Sequence, residues 1–154
     1  QLFNLLQTYL AGGYQEQAYD TVLKLTKILR RKRGESPRYI STLYACAIAL
    51  TAQLIDMDMA LEWVHKSPEV CRKNPDWCIN AGQVYLEMQQ PKAAEQCAQW
   101  ALQCKSQPFV DSLSQASSTG WRAYELLSNA YAARGCLELS EVAALKAKSL
   151  CVKG

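Results

Sequence analysis

From one end of this chain to the other, apolar residues recur every three or four positions, and nowhere do they alternate by two for long enough to make a strand. Breaks in that rhythm divide the 154 residues into eight helical stretches. The first carries Leu2, Leu5, Tyr9 and Leu10 and stops at Gly12-Gly13. The second runs from Tyr14 to Arg33 on the stripe Ala18, Val22, Leu25 and Leu29, with Gly34 and Ser36-Pro37 as its exit. The third, Arg38 to Leu54, is apolar nearly all round, which predicts a central, buried helix. Asp56-Met57-Asp58 offers capping chemistry for a fourth, which carries Met59, Leu61, Trp63 and Val64 and ends before Pro68. After a connection around 68–74, a fifth helix opens on Pro75-Asp76 and reaches Met88. The sixth spans Lys92 to Lys105, the seventh Trp121 to Ala133 and the eighth Leu137 to Cys151. Between the sixth and seventh lies a serine-rich connection, 106–120. The expected class is all-α, with eight helices paired as four hairpins.

The hairpins share a motif. Gly82 and Tyr85 stand three apart on the fifth helix, with Ala94 and Ala101 seven apart on the sixth. Ser128, Tyr131, Gly135, Ser140 and Ala147 repeat the pattern in the last pair. Tyr9, Gly13 and Ala18 echo it in the first, while the second keeps only Ala60, followed by Trp63. Small residues at these spacings let two helices approach closely, and the tyrosine fills the gap to the next hairpin. Ala18, Ala60, Ala94 and Ser140 are separated by 42, 34 and 46 residues, an irregular period.

The motif resembles the tetratricopeptide repeat. The resemblance implies a right-handed α-solenoid of about four helical hairpins forming a single domain over 1–154. Its units would be 1–34, 38–67, 75–105 and 121–151, with 106–120 as an insertion. The chain begins at Gln1 rather than Met and reads as a piece of a longer protein, with further repeats of the same chain as one kind of neighbour. In the resembled family the first helix of each unit lines a concave face that holds an extended or helical peptide. Carried over by register, that face takes Asp76, Ile79, Asn80, Gln83, Leu86 and Glu87 from the third unit, and Arg122, Glu125, Leu126 and Asn129 from the fourth. Amides there suit the backbone of a bound segment and leucines its side chains. Family members that clamp a terminal carboxylate use lysines that are absent here, and Asp76 and Glu125 would repel such a group.

A second candidate surface is basic. Between Lys24 and Arg38 lie Lys27, Arg30, Arg31, Lys32 and Arg33, with Glu35 as the one acid. Cations at a helix end complement its dipole. The alternatives are a nuclear-import-like cluster, a surface for an acidic partner, or phosphate contact in an RNA-binding module of the neighbouring pentatricopeptide kind, although Tyr39 is the one aromatic nearby. The whole-chain charge, 17 basic against 14 acidic residues, is too slight to decide it.

Other chemistry is thinly represented. Seven cysteines occur without a Cys-x-x-Cys, so no metal site is expected, and they read as small buried hydrophobes of a reducing, intracellular compartment, cytoplasmic or nuclear. His65, the one histidine, has no acidic partner at motif spacing. No phosphate-cradling loop or catalytic motif is found, and no apolar run is long enough to span a membrane. The expectation is a non-catalytic adaptor without cofactor, binding another protein.

Overall fold

The computed structural model describes residues 2–31, 37–104 and 119–153. Those residues form eight α-helices and one short 3-10 turn, with no strand among them. The helices are α1 (Leu2–Ala11), α2 (Gln15–Arg31), α3 (Pro37–Leu54), α4 (Met57–Lys66), α5 (Pro75–Glu87), α6 (Pro91–Gln103), α7 (Thr119–Ala133) and α8 (Leu137–Lys153). Sequential helices pack as hairpins, and α3, α5 and α7 also pack on one another in order, so each hairpin rests on the next. The connection expected over 68–74 is instead a 3-10 turn, Glu69–Lys73, that buries Cys71 completely. Residues 119 and 120, expected in the insertion, open α7, and 105–118 lie outside the described residues.

Three hairpins turn in the same way. Beyond α1, the N–H of Tyr14 donates to the Tyr9 carbonyl at 2.9 Å and that of Gly13 to Leu10 at 3.3 Å. After α5 the pairs are Gln90 to Tyr85 at 2.8 Å and Gln89 to Leu86 at 3.1 Å. After α7 they are Cys136 to Tyr131 at 2.9 Å and Gly135 to Ala132 at 3.1 Å. This crossed pair of bonds satisfies the last carbonyls of each helix and needs a left-handed residue between. Gly13 (φ 79°) and Gly135 (φ 82°) meet that need freely, whereas Gln89 (φ 58°) meets it with a side chain. The second hairpin differs. Thr51 holds the place of the tyrosine, nine residues before Ala60, and the turn is closed by Asp56, whose carboxylate accepts the Met59 N–H at 2.8 Å.

The small residues lie where close packing requires them. Ala18, Ala60, Ala94 and Ala101 are buried, as is Gly82. A methyl group at Gly82 would sit 2.4 Å from Leu126 Cδ2 and 3.2 Å from Cys97 Cβ, so α5 meets both α6 and α7 there. The core has two parts. The larger runs through the first three hairpins and contains Leu6, Val22, Leu43, Ile48, Trp63, Trp77 and Ile79. Each of these large side chains contributes about 1.5–3 kcal/mol by leaving water. The smaller cluster lies under α6, α7 and α8, where Leu126 and Leu127 are surrounded by Ala94, Ala98, Ala130 and Ala143. Arg134 pairs with Glu95 across this end, and Ser128 Oγ donates to the Ser140 carbonyl at 2.8 Å.

One polar residue organises the middle of the array. Asn74 is almost wholly buried and caps α5, its Oδ1 accepting the N–H of Asp76 at 2.9 Å and of Trp77 at 3.3 Å. Its amide nitrogen donates to Ser41 Oγ at 3.0 Å and Thr42 Oγ1 at 3.4 Å, joining α5 to α3. Both ends of the amide are matched, so its hydrogen bonds offset the cost of taking it out of water.

Candidate functional site

Along one side of the stack the first helices of the hairpins leave an open trough of about 670 Å³. Alpha-helical spacing decides what lines it. On α3 the stripe is Thr42, Cys46, Ala49 and Gln53, and on α5 it is Asp76, Asn80 and Gln83. Gln7 and Leu10 of α1 close one end and Arg122 of α7 the other. Small side chains on α3 make the floor, and carboxamides make much of the polar wall.

The polar groups are held in place. Asn80 Nδ2 donates to the Ala45 carbonyl at 3.1 Å, fixing α5 against α3. Gln15 Nε2 donates to Gln53 Oε1 at 2.8 Å near the α1 end. Arg122 Nη1 stands 3.8 Å from Asp76 Oδ1, and both side chains are largely withdrawn from solvent. Burial lowers the Arg122 guanidinium from its usual value, and the carboxylates of Asp76 and Glu125 act the other way. The ion pair brings opposite charges together at one end, beside a wall of neutral amides.

Of the residues expected on the concave face, Asn80, Gln83 and Arg122 line the trough, together with Asp76. Ile79 does not. It is fully buried in the larger core, because it lies one position round from Asn80 and faces the neighbouring helices. Leu86, two turns further on the same stripe, packs against the smaller cluster, and Leu126 is buried within it. Glu87, Glu125 and Asn129 are exposed but none lines the trough. The α3 wall went unread in the sequence. A helix apolar nearly all round reads as wholly buried, yet Tyr44, Cys46 and Ala49 keep part of their surface in solvent. The signal was the small size of Thr42, Cys46 and Ala49 beside Gln53 on one stripe.

The basic strip is elsewhere. Lys24 and Lys27 are exposed on α2, Arg30 and Arg31 are its last two residues, and Arg38 is exposed in the first turn of α3. Lys24, Lys27 and Arg38 do not line the trough, and Lys32 and Arg33 lie outside the described residues. His65 is exposed at the end of α4, its ring 6.4 Å from that of Tyr85. Both border a second hollow of about 530 Å³ against the 3-10 turn, where Arg72 lies 4.9 Å above the Trp100 ring and Trp77 Nε1 donates to Ser67 Oγ at 3.0 Å. Trp63 and Trp77 are buried, while Trp100 and Trp121 are half-buried. On α8 the face turned away from α7 is apolar, with Leu139 52%, Val142 62% and Leu145 69% exposed. Among the described residues no group of three or more His, Cys, Asp or Glu is placed to hold a metal ion, and no helix is long and apolar enough to cross a membrane.

No family model matches the sequence, and no curated protein matches it. Solved structures do. A crystal structure of MamA superposes with a TM-score of 0.70 at 16% identity, covering 99% of this chain and 77% of that one. A second, titled MamA MSR-1 C2, gives a TM-score of 0.64 at 14% identity, covering 99% and 76%. MamA is a tetratricopeptide-like helical repeat protein, and the present chain has the same all-α solenoid fold.

Proposed function

We propose that this tetratricopeptide-like solenoid is a non-catalytic scaffold that holds a peptide or helical segment of a partner protein in the trough along α1, α3, α5 and α7. The fold is one suited to protein interaction. The observation that carries the reading is the trough itself, a continuous opening across four hairpins with a small-residue floor on α3 and amide walls. An extended segment presents N–H and C=O groups at every residue, and carboxamides can both donate to and accept from them. Thr42, Cys46 and Ala49 leave room for its side chains, whose burial would supply most of the affinity.

Filling the trough tests this. Peptides selected from a displayed random library against the chain should lose at least tenfold in affinity with Ala49→Trp or Gln83→Trp. Lys27→Trp, on α2, should leave binding unchanged. Equal binding to all three variants would refute the reading, as would a library that yields no binder. The same preparation answers the RNA alternative. Binding to a generic single-stranded RNA at moderate salt, with a steep salt dependence abolished by Lys24→Glu and Lys27→Glu, would replace the peptide reading with that one.

A further inference from the structure

The seven cysteines form no disulfide, but four of them converge where the 3-10 turn meets α5 and α6. Cys71, Cys78 and Cys97 are buried there, and Cys104, which ends α6, is partly exposed. The thiols of Cys78 and Cys104 share an acceptor. Cys78 donates to the Arg72 carbonyl oxygen at 3.2 Å, and Cys104 Sγ lies 3.7 Å from the same oxygen. Cys104 also reaches the Trp100 carbonyl at 3.2 Å. The two side chains are also near enough to interact with each other. Hairpin geometry explains the meeting. Because α5 and α6 run antiparallel, the first turn of one, which holds Cys78, lies beside the end of the other, which holds Cys104.

Their surroundings make these thiols unequal. The interaction with Cys104, and then burial, hold the Cys78 thiol far above the ordinary range, and the same interaction lowers that of Cys104 against the opposing effect of burial. Burial pushes Cys71 and Cys97 up to about 12, so neither competes as a nucleophile. One accessible, activated thiol with a protonated neighbour in contact is the arrangement by which a cysteine pair senses an oxidant.

We propose that Cys104 and Cys78 are a redox pair, Cys104 reacting with a peroxide and Cys78 resolving it as an intramolecular disulfide. The Cys104 thiolate attacks one peroxide oxygen and the O–O bond breaks. Cys104 becomes a sulfenic acid, and the departing hydroxide takes up the proton that Cys104 gave up on ionising and leaves as water. Cys78 sulfur then attacks the Cys104 sulfur and the S–O bond breaks. The hydroxide released takes the Cys78 proton and leaves as a second water. Two thiols are oxidised by two electrons and one hydrogen peroxide is reduced to two waters. The new bond closes a loop from Cys78 to Cys104 and clamps the start of α5 to the end of α6.

The test uses the whole chain, one equivalent of hydrogen peroxide, alkylation of remaining thiols and non-reducing peptide mapping. The expected product is a single cross-linked peptide pair containing Cys78 and Cys104. Closing a loop of this size should raise the unfolding midpoint by roughly 10 °C, and dithiothreitol should reverse it. Cys104→Ser should abolish both changes, and Cys78→Ser should leave a sulfenic acid on Cys104 that dimedone traps. Should Cys78→Ser fail to fold, the wild-type map still decides. A wild-type map with Cys78 still alkylated, with Cys104 as a sulfinic acid, or with Cys104 bridged to Cys97 or Cys151, would overturn the proposal.

Discussion

Replacing Gly82 with alanine sets two known effects against each other. In an exposed helix the change would stabilise by about 1 kcal/mol, since glycine has the more flexible unfolded chain. Here the added methyl group would stand 2.4 Å from Leu126 Cδ2 and 3.2 Å from Cys97 Cβ. Leu126 is 3% exposed and sits in the smaller core cluster, so its side chain must leave its rotamer or α7 must move outward. Overpacking of this kind costs about 1–3 kcal/mol. The two effects together give a net loss of about 1 kcal/mol for Gly82→Ala, and about 3 kcal/mol for Gly82→Val, whose branched side chain overlaps further. Leu126→Ala alone should cost about 2–5 kcal/mol through the cavity it opens. In that background Gly82→Ala meets empty space and should become stabilising by about 1 kcal/mol, which makes the coupling about 2 kcal/mol. Urea unfolding of the four chains, followed by the helical circular dichroism signal, measures every term. If Gly82→Ala stabilises by the same amount whether or not Leu126 is present, the close approach of α5 and α7 is wrong.

Three further outcomes follow from single groups. Asn74→Ala removes the cap of α5 and its bonds to the hydroxyls of Ser41 and Thr42, while Ser41 keeps its bond to the Arg38 carbonyl, so the unfolding free energy should fall by about 2 kcal/mol, whereas a loss below about 0.5 kcal/mol would show that the network is not stabilising. Thr51 is fully buried and its Oγ1 has no hydrogen-bond partner among the described residues. Thr51→Val keeps the shape, removes that unmatched hydroxyl and should raise the melting temperature by a few degrees, worth about 1 kcal/mol. The thiols of Cys71 and Cys97 are held up to about 12 by burial against an ordinary value of 9.0. An acid raised in the folded state keeps its full contribution below its unfolded value and loses it as pH climbs to the folded one. Stability measured by urea unfolding should therefore be flat below pH 8 and decline between about pH 9 and 12, by up to about 1.4 kcal/mol per pH unit for each thiol. Cys97→Ala should shallow that decline.

Helix positions, hairpin pairing and the small-residue seams were legible because each is written in local spacing. Tyr9, Tyr85 and Tyr131 stand four residues before a left-handed turn residue, and that turn is settled by the backbone bonds of one helix end. Where Thr51 replaces the tyrosine, the turn runs through Asp56 instead, and the motif had nothing to match. The trough was half legible. Asp76, Asn80 and Gln83 fall at helical spacing, but a shift of one residue separates Asn80 in the wall from Ile79 in the core. That angle depends on how neighbouring hairpins rotate against each other, which long-range packing sets. For the same reason Cys78 and Cys104 are 26 positions apart in the chain yet share one carbonyl, a meeting invisible to spacing.

The division of the core into a large and a small cluster gives the array a weak end. The last hairpin is fastened chiefly by alanines and two leucines, and Ala143 and Ala147 are the buried residues among the described side chains of α8. In a stack where each hairpin leans only on its neighbours, partial opening begins at the member with the least apolar surface to give up. Amides of α8 and α7 should exchange with deuterium well before those of α3 and α5. Arg122, the charged stop at one mouth of the trough, is mounted on that loosely latched flap, so a tenant could slip in or out by lifting the final hairpin while the rest of the scaffold stays shut.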